Sequence, residues 1–166
     1  MAIVGVGSVT WDVALFAHRL PRAGETLLGE GYTAGLGGKG CNQAVAAVRL
    51  GAAARFFGRV GRDAFGANVR AAAAAAGLDP GDIAEDASAA TALAGLFVGA
   101  DGANAIVQAP GANRRVDATA VAPAAHPLPG PNVVLPPPQA PLEPRQAAAL
   151  AGVAPGTPAT RDPAPP

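Results

Sequence analysis

Apolar positions along the first two thirds of the chain fall alternately into strand-like and helix-like groups. Ala2–Val6 is a run of small apolar and β-branched residues suited to a buried strand, and "MAIVGVGSVTWDVALF" as a whole reads as a first core strand. Glu25–Tyr32 is a shorter segment of extended character. Asn42–Leu50 carries Ala44, Val45 and Val48 at helical spacing, with Gly51 where a C-cap belongs. Arg55–Val60 reads as the next strand. Asp63 then suits the N-cap of a helix with Phe65, Val69 and Ala73 on one face, ended by Gly77. Leu93–Val98 and Asn104–Gln108 flank "GADG", which has the turn residues of a β-hairpin. Strands alternating with helices predict an α/β fold in which a mostly parallel sheet is covered by helices and ligands bind beyond the strand ends.

Proline changes the picture after residue 120, where 14 of the 17 prolines lie. The boundary falls near Pro123, which divides the chain into a globular part, 1–122, and a proline-rich tail, 123–166. Within the tail "NVVLPPPQAPLEP" begins like a strand, but three successive prolines have no N–H to give a ladder, so polyproline or irregular structure is expected there. The terminal "GVAPGTPATRDPAPP" is low in complexity and is expected to lack order at its end.

A chain of 166 residues, half of them hydrophobic, can bury a core. Its formal net charge is zero, which argues against nucleic acid and anionic membrane as partners, since both require a basic excess. Cys41 is the sole cysteine, so neither an intrachain disulfide nor a thiolate zinc cluster can form, and a reducing cytoplasm is the expected location. The apolar N-terminus has no basic leader, and Asp12 and its glycines interrupt it short of a membrane span.

The densest chemistry lies in "GLGGKGCNQAVAAVRLGA", residues 35–52, where glycines and the only lysine precede a helical run. A bare backbone, an ammonium and a helix start suit either a phosphate cradle or a pocket for a small polar ligand. A Walker loop fails at both ends, because Thr33 stands at its first glycine and Gly40 follows Lys39. Gly35, Gly37 and Gly40 match a dinucleotide fingerprint, yet "EGYTA" before them is not the buried strand such a unit requires, and the earlier "GVGSVT" lacks the third glycine at Thr10. Against a tight turn with a solvated charge stands the composition: 11 arginines and a single lysine, placed among the glycines.

"GGKGCNQAVAAVRLGA" resembles the first signature of the ribokinase or PfkB family of sugar kinases. Further stretches match in order: "GSVTWD", "PRAGET", "GRVGRDAFG", "APGAN" at 109–113, "PLE" at 141–143 and "DPAPP". The resemblance implies a ribokinase-like α/β sandwich with a small β-lid, built from segments near 25–40 and 91–108, that closes over the sugar and pairs two subunits into a homodimer. It implies ATP-dependent phosphorylation of a pentose, ribose foremost, at a primary hydroxyl with Mg2+. By match, Gly38, Lys39 and Asn42 line the sugar pocket and Asp12 accepts from two sugar hydroxyls. Thr10 stands where the family has Asn, and Gln139 where it has an acidic residue; both alter the pocket. The family is about twice as long, and its Gly-Ala-Gly-Asp motif, with the catalytic base, is absent here, as is its nucleotide-holding segment. The expectation is therefore a sugar-binding half, inactive alone, with a non-catalytic sugar-binding fragment, or a kinase for fructose, a nucleoside or another small sugar, as alternatives.

Other residues invite plainer roles. His18 and His126 lack metal-ligand spacing, and Cys41 suits small-residue packing. Arg114 and Arg115 suit a solvated pair. Trp11 can either cover a sugar face or fill core.

Overall fold

The computed structural model describes residues 2–116 and the backbone of 132–135. The first apolar stretch makes two strands in different sheets: β1 (Ala2–Val6) and β2 (Thr10–Ala17). Gly7–Val9 carry the chain from one sheet to the other, which overturns the expectation of one continuous strand. Next come β3 (Gly31–Gly37), helix α1 (Lys39–Arg49), β4 (Ala53–Gly61), helix α2 (Ala64–Ala75), β5 (Ile83–Asp86), β6 (Leu93–Gly99), β7 (Asn104–Ala109) and β8 (Asn132–Leu135).

One sheet runs β5-β4-β1-β8 with every neighbour parallel. The other runs β3-β2-β6-β7, in which β2 and β6 are parallel and the outer pairs antiparallel. The second sheet, apart from the first, holds β3, β6 and β7 from the segments expected to form a lid, with β2 as an unanticipated inner strand. Glu25 does not join it. Its carboxylate takes both guanidinium arms of Arg19 at 2.7 and 2.6 Å and the Arg22 amide at 2.9 Å, closing a turn instead, and the strand starts only at Gly31. The hairpin turn forms as its composition predicts, with Gly99 N donating to Ala103 O at 2.8 Å and Gly102 at φ +82°.

β8 lies inside the proline-rich region and pairs with β1 from Asn132 to Leu135. It is the strand-like beginning of "NVVLPPPQAPLEP", and it ends one residue before Pro136, which cannot donate to a ladder. The remainder of 117–166 lies outside the described residues.

Both helices end as their glycines predict. Gly51, at φ +83°, donates to Val48 O while Ala52 donates to Ala47 O, and Gly77 and Leu78 repeat the pattern on α2. A left-handed glycine lets the chain fold back to satisfy the last carbonyls. The core lies between α1, α2 and the parallel sheet: Cys41, Ala44, Val69, Ala73, Phe56, Val60 and Ile83 are fully buried. Phe56 sits in a slot left by Gly5, Gly40 and Gly58, where any added Cβ would press on its ring. Trp11, half-buried, packs against this core.

Candidate functional site

The chain crosses between the two sheets at four places: 7–9 into β2, 37–38 out of β3, 90–92 into β6 and 110–113 out of β7. These crossings are bonded to one another. Cys41 N donates to Ser8 O at 3.2 Å, Trp11 N to Ala92 O at 3.0 Å and Ala112 N to Ala90 O at 2.8 Å. The glycine stretch and Asp12 both emerge from this junction.

Only part of the glycine stretch is a turn. Gly35 and Gly37 belong to β3, opposite Asp12 and Thr10 of β2 respectively. Gly37 leaves room for a neighbour: a Cβ there would fall on the Asp12 carboxylate and oblige it to move. Gly38 is required by conformation, since its φ is +93° and a Cβ would stand 2.5 Å from Ser8 O and 2.7 Å from Val9 Cα. That conformation turns β3 directly into α1, which begins at Lys39, three residues earlier than periodicity indicates.

Asp12 is half-buried, and its Oδ1 accepts from Thr10 Oγ1 at 2.5 Å. Thr10 is itself buried, and its hydroxyl bond orients the carboxylate. Lys39 is exposed at the first turn of α1. Asn42 follows one turn on, its amide donating to Gly38 O at 2.9 Å, so residues 38 and 42 share a helix face. Asn42 also lines an open groove of about 650 Å3 with Leu36, Arg49, Leu50 and Ala72, a groove whose walls do not include Asp12 or Lys39. The structure therefore joins Thr10, Asp12, Gly37 and Gly38 tightly, with Lys39 adjacent and Asn42 one turn away. Gln139 lies outside the described residues, as does His126.

Two ties of the junction, from Asp63 to Thr91 and from Asn113 to Val9, went unassigned in the sequence, although "GRVGRDAFG" and "APGAN" contain these residues. Asp63 caps α2 by accepting from Gly66 N at 2.8 Å, and it also accepts from Thr91 N at 2.8 Å and Thr91 Oγ1 at 2.7 Å. Partial burial works against its charge, but these donors outweigh that and hold its pKa below the usual carboxylate value. Asn113 bonds both polar groups of the Val9 backbone.

Arg115 is exposed, in keeping with a solvated charge, and is engaged as well. It donates to Ser88 Oγ at 2.5 Å and faces Asp86 at 3.5 Å, and Asp86 also faces Arg59 at 3.4 Å. The Ser88 amide and hydroxyl, followed by these guanidinium groups, bring the Asp86 pKa down to about 2. His18 is exposed. Burial pushes the Cys41 thiol up to about 12, in keeping with a packing role.

Among the described residues no group of three or more His, Cys, Asp or Glu side chains could hold a metal ion. No chemical step is routed through the magnesium and nucleotide that the resemblance implies. No helix among the described residues is long and apolar enough to cross a membrane.

The chain is 39% identical over 108 residues to the ribokinase of Haemophilus influenzae and 39% identical over 112 residues to that of Mus musculus, covering 65% and 68% of this chain. It spans 35% of either relative's length. The solved structure of Arabidopsis thaliana ribokinase complexed with ribose and ATP superposes with a TM-score of 0.72 at 27% identity, over 95% of this chain and 51% of that one. The sequence pattern of the pfkB family carbohydrate kinases matches residues 2–128, most of the chain, and the chain belongs to that family of sugar kinases.

Proposed function

We propose that this chain supplies the sugar-binding half of a ribokinase-type enzyme that transfers the γ-phosphoryl group of ATP, with Mg2+, to the primary hydroxyl of a pentose, ribose foremost. The observation that carries the reading is the Asp12 carboxylate, fixed by Thr10 over a glycine that leaves it room, beside the Gly38–Lys39 helix start. A carboxylate accepts from two hydroxyl donors at once, which suits a vicinal diol. Asn42 adds an amide on the same helix face as Gly38, and Lys39 places a compact cation where a phosphoryl group would approach. Gln139, in the family's acidic position, is assigned to the same pocket by match alone. A cytoplasmic location goes with this reading.

The lid also suits self-association. Register places Leu15, Tyr32 and Phe97 on one face, with Val13 and Val107 in the next row, and Leu15, Tyr32, Phe97 and Val107 are exposed. An apolar patch of this kind favours a homodimer through the lids. Calorimetric titration with ribose, deoxyribose, fructose and a nucleoside tests the sugar assignment. Ribose binding tightest supports it; no binding of any of them overturns it.

A further inference from the structure

Val9 is fully buried and belongs to neither strand: β1 has ended at Val6 and β2 begins at Thr10. A buried peptide without a ladder partner is costly unless another group replaces it. The replacement comes from 104 residues away. Asn113 Nδ2 donates to Val9 O at 2.9 Å, and Val9 N donates to Asn113 Oδ1 at 3.1 Å. A carboxamide is the side chain that offers a donor and an acceptor in one plane, as a neighbouring strand would. Asp supplies only acceptors, and Leu neither.

The location gives this pair its meaning. Val9 directly precedes Thr10, whose hydroxyl orients Asp12, and Ser8 directly precedes Val9 and accepts from Cys41 N at the start of α1. Asn113 itself follows the exit from β7, where Ala112 N is tied to Ala90 O at the entry to β6. One side chain therefore links the outgoing root of the lid to its incoming root at the residue that sets the phase of β2. Because side chains alternate along a strand, a slip at this root would turn Asp12 away from Gly37.

We infer that Asn113 is a positioning residue for the sugar site: by replacing a strand partner for Val9 it holds the lid root in the register that presents Thr10 and Asp12. This rests on the reading of Asp12 as a sugar ligand, while the register claim stands separately.

The test uses the 166-residue chain with Asn113→Leu, which removes both bonds, and Asn113→Asp, which keeps only the acceptor. Each buried group left unpaired costs on the order of one tenfold change in a local opening equilibrium or more. Hydrogen exchange followed by NMR should therefore quicken about tenfold or more at the Val9 and Trp11 amides in Asn113→Leu, while β4 amides keep their rates. Ribose affinity should fall about tenfold in the wild-type background and not fall further in Asp12→Ala. Equal acceleration throughout β4 would make Asn113 an ordinary structural residue and overturn the proposal. Unchanged Val9 and Trp11 rates, or ribose affinity unmoved by a loosened root, would overturn it too. If Asn113→Leu does not fold, Asn113→Asp decides by the same readings at smaller amplitude. Absence of ribose binding by the wild type refutes the sugar assignment, and the exchange rates still decide the register claim.

Discussion

Replacing Gly37 by alanine acts on Asp12 through space. Gly37 is in β3 and its φ is not positive, so its backbone accepts alanine without strain. The three atoms nearest to an added Cβ all belong to the Asp12 carboxylate, which has to swing away and give up its bond from Thr10. A hydrogen bond to a charged acceptor contributes about 1.5–3 kcal/mol, and Thr10 stays buried with its hydroxyl unpaired. Alanine offsets about 0.4–1 kcal/mol of this by restricting the unfolded chain. The expected net cost is about 1–2 kcal/mol, read as a lower urea midpoint with unchanged m-value. Asp12→Ala removes the same bond and the obstacle with it, so in that background Gly37→Ala should stabilise by about 0.4–1 kcal/mol. The double-mutant cycle then shows a coupling of about 1 kcal/mol or more. An equal cost of Gly37→Ala in both backgrounds would refute the contact between the β3 glycine and the carboxylate.

Gly38→Ala should be more damaging, by about 2–4 kcal/mol in urea unfolding, because a left-handed backbone and a collision with the Ser8–Val9 backbone act together; a loss under 1 kcal/mol would contradict that geometry. Asp86 should titrate near pH 2 by NMR: its folded pKa lies below the unfolded value of about 3.9, so its contribution to stability is complete above about pH 4 and is lost as pH falls toward 2. A midpoint near 4 would remove the Ser88 and arginine contacts from the account of its charge. Cys41 should resist a thiol reagent at pH 8 in the native protein and react on unfolding in urea; rapid native labelling would contradict its burial. In a coupled ADP-release assay with ATP, magnesium and ribose the chain alone should show no sustained turnover, and activity above a Lys39→Ala control would show that the catalytic groups lie within these residues.

Local patterns carried much of the fold. Both helix C-termini were legible because a glycine at the end of a periodic run has one well-known geometry, and Asp63 was legible as a cap for a similar reason. The split of the first apolar stretch was not, since Gly7 and Ser8 interrupt it only mildly and nothing local states that β2 pairs with β3 and β6 in another sheet. Glu25 misled because its partners, Arg19 and Arg22, close a turn by side-chain bonds that strand propensity ignores. Asp12 and Gly38 came from motif resemblance. The room left by glycine at 37 serves a cross-strand neighbour 25 positions away, and Asn113 acts across 104 residues, distances at which a single sequence carries no pairing signal.

The assignment of the sugar site is tested most directly by titrating ribose into isotope-labelled chain and mapping the amide shifts. Saturable shifts at Thr10, Asp12, Gly38, Lys39 and Asn42, absent in Asp12→Ala although that variant keeps its β1 and β4 spectrum, are the predicted result. Shifts confined to the groove around Leu50 and Ala72, or unchanged by Asp12→Ala, would contradict it.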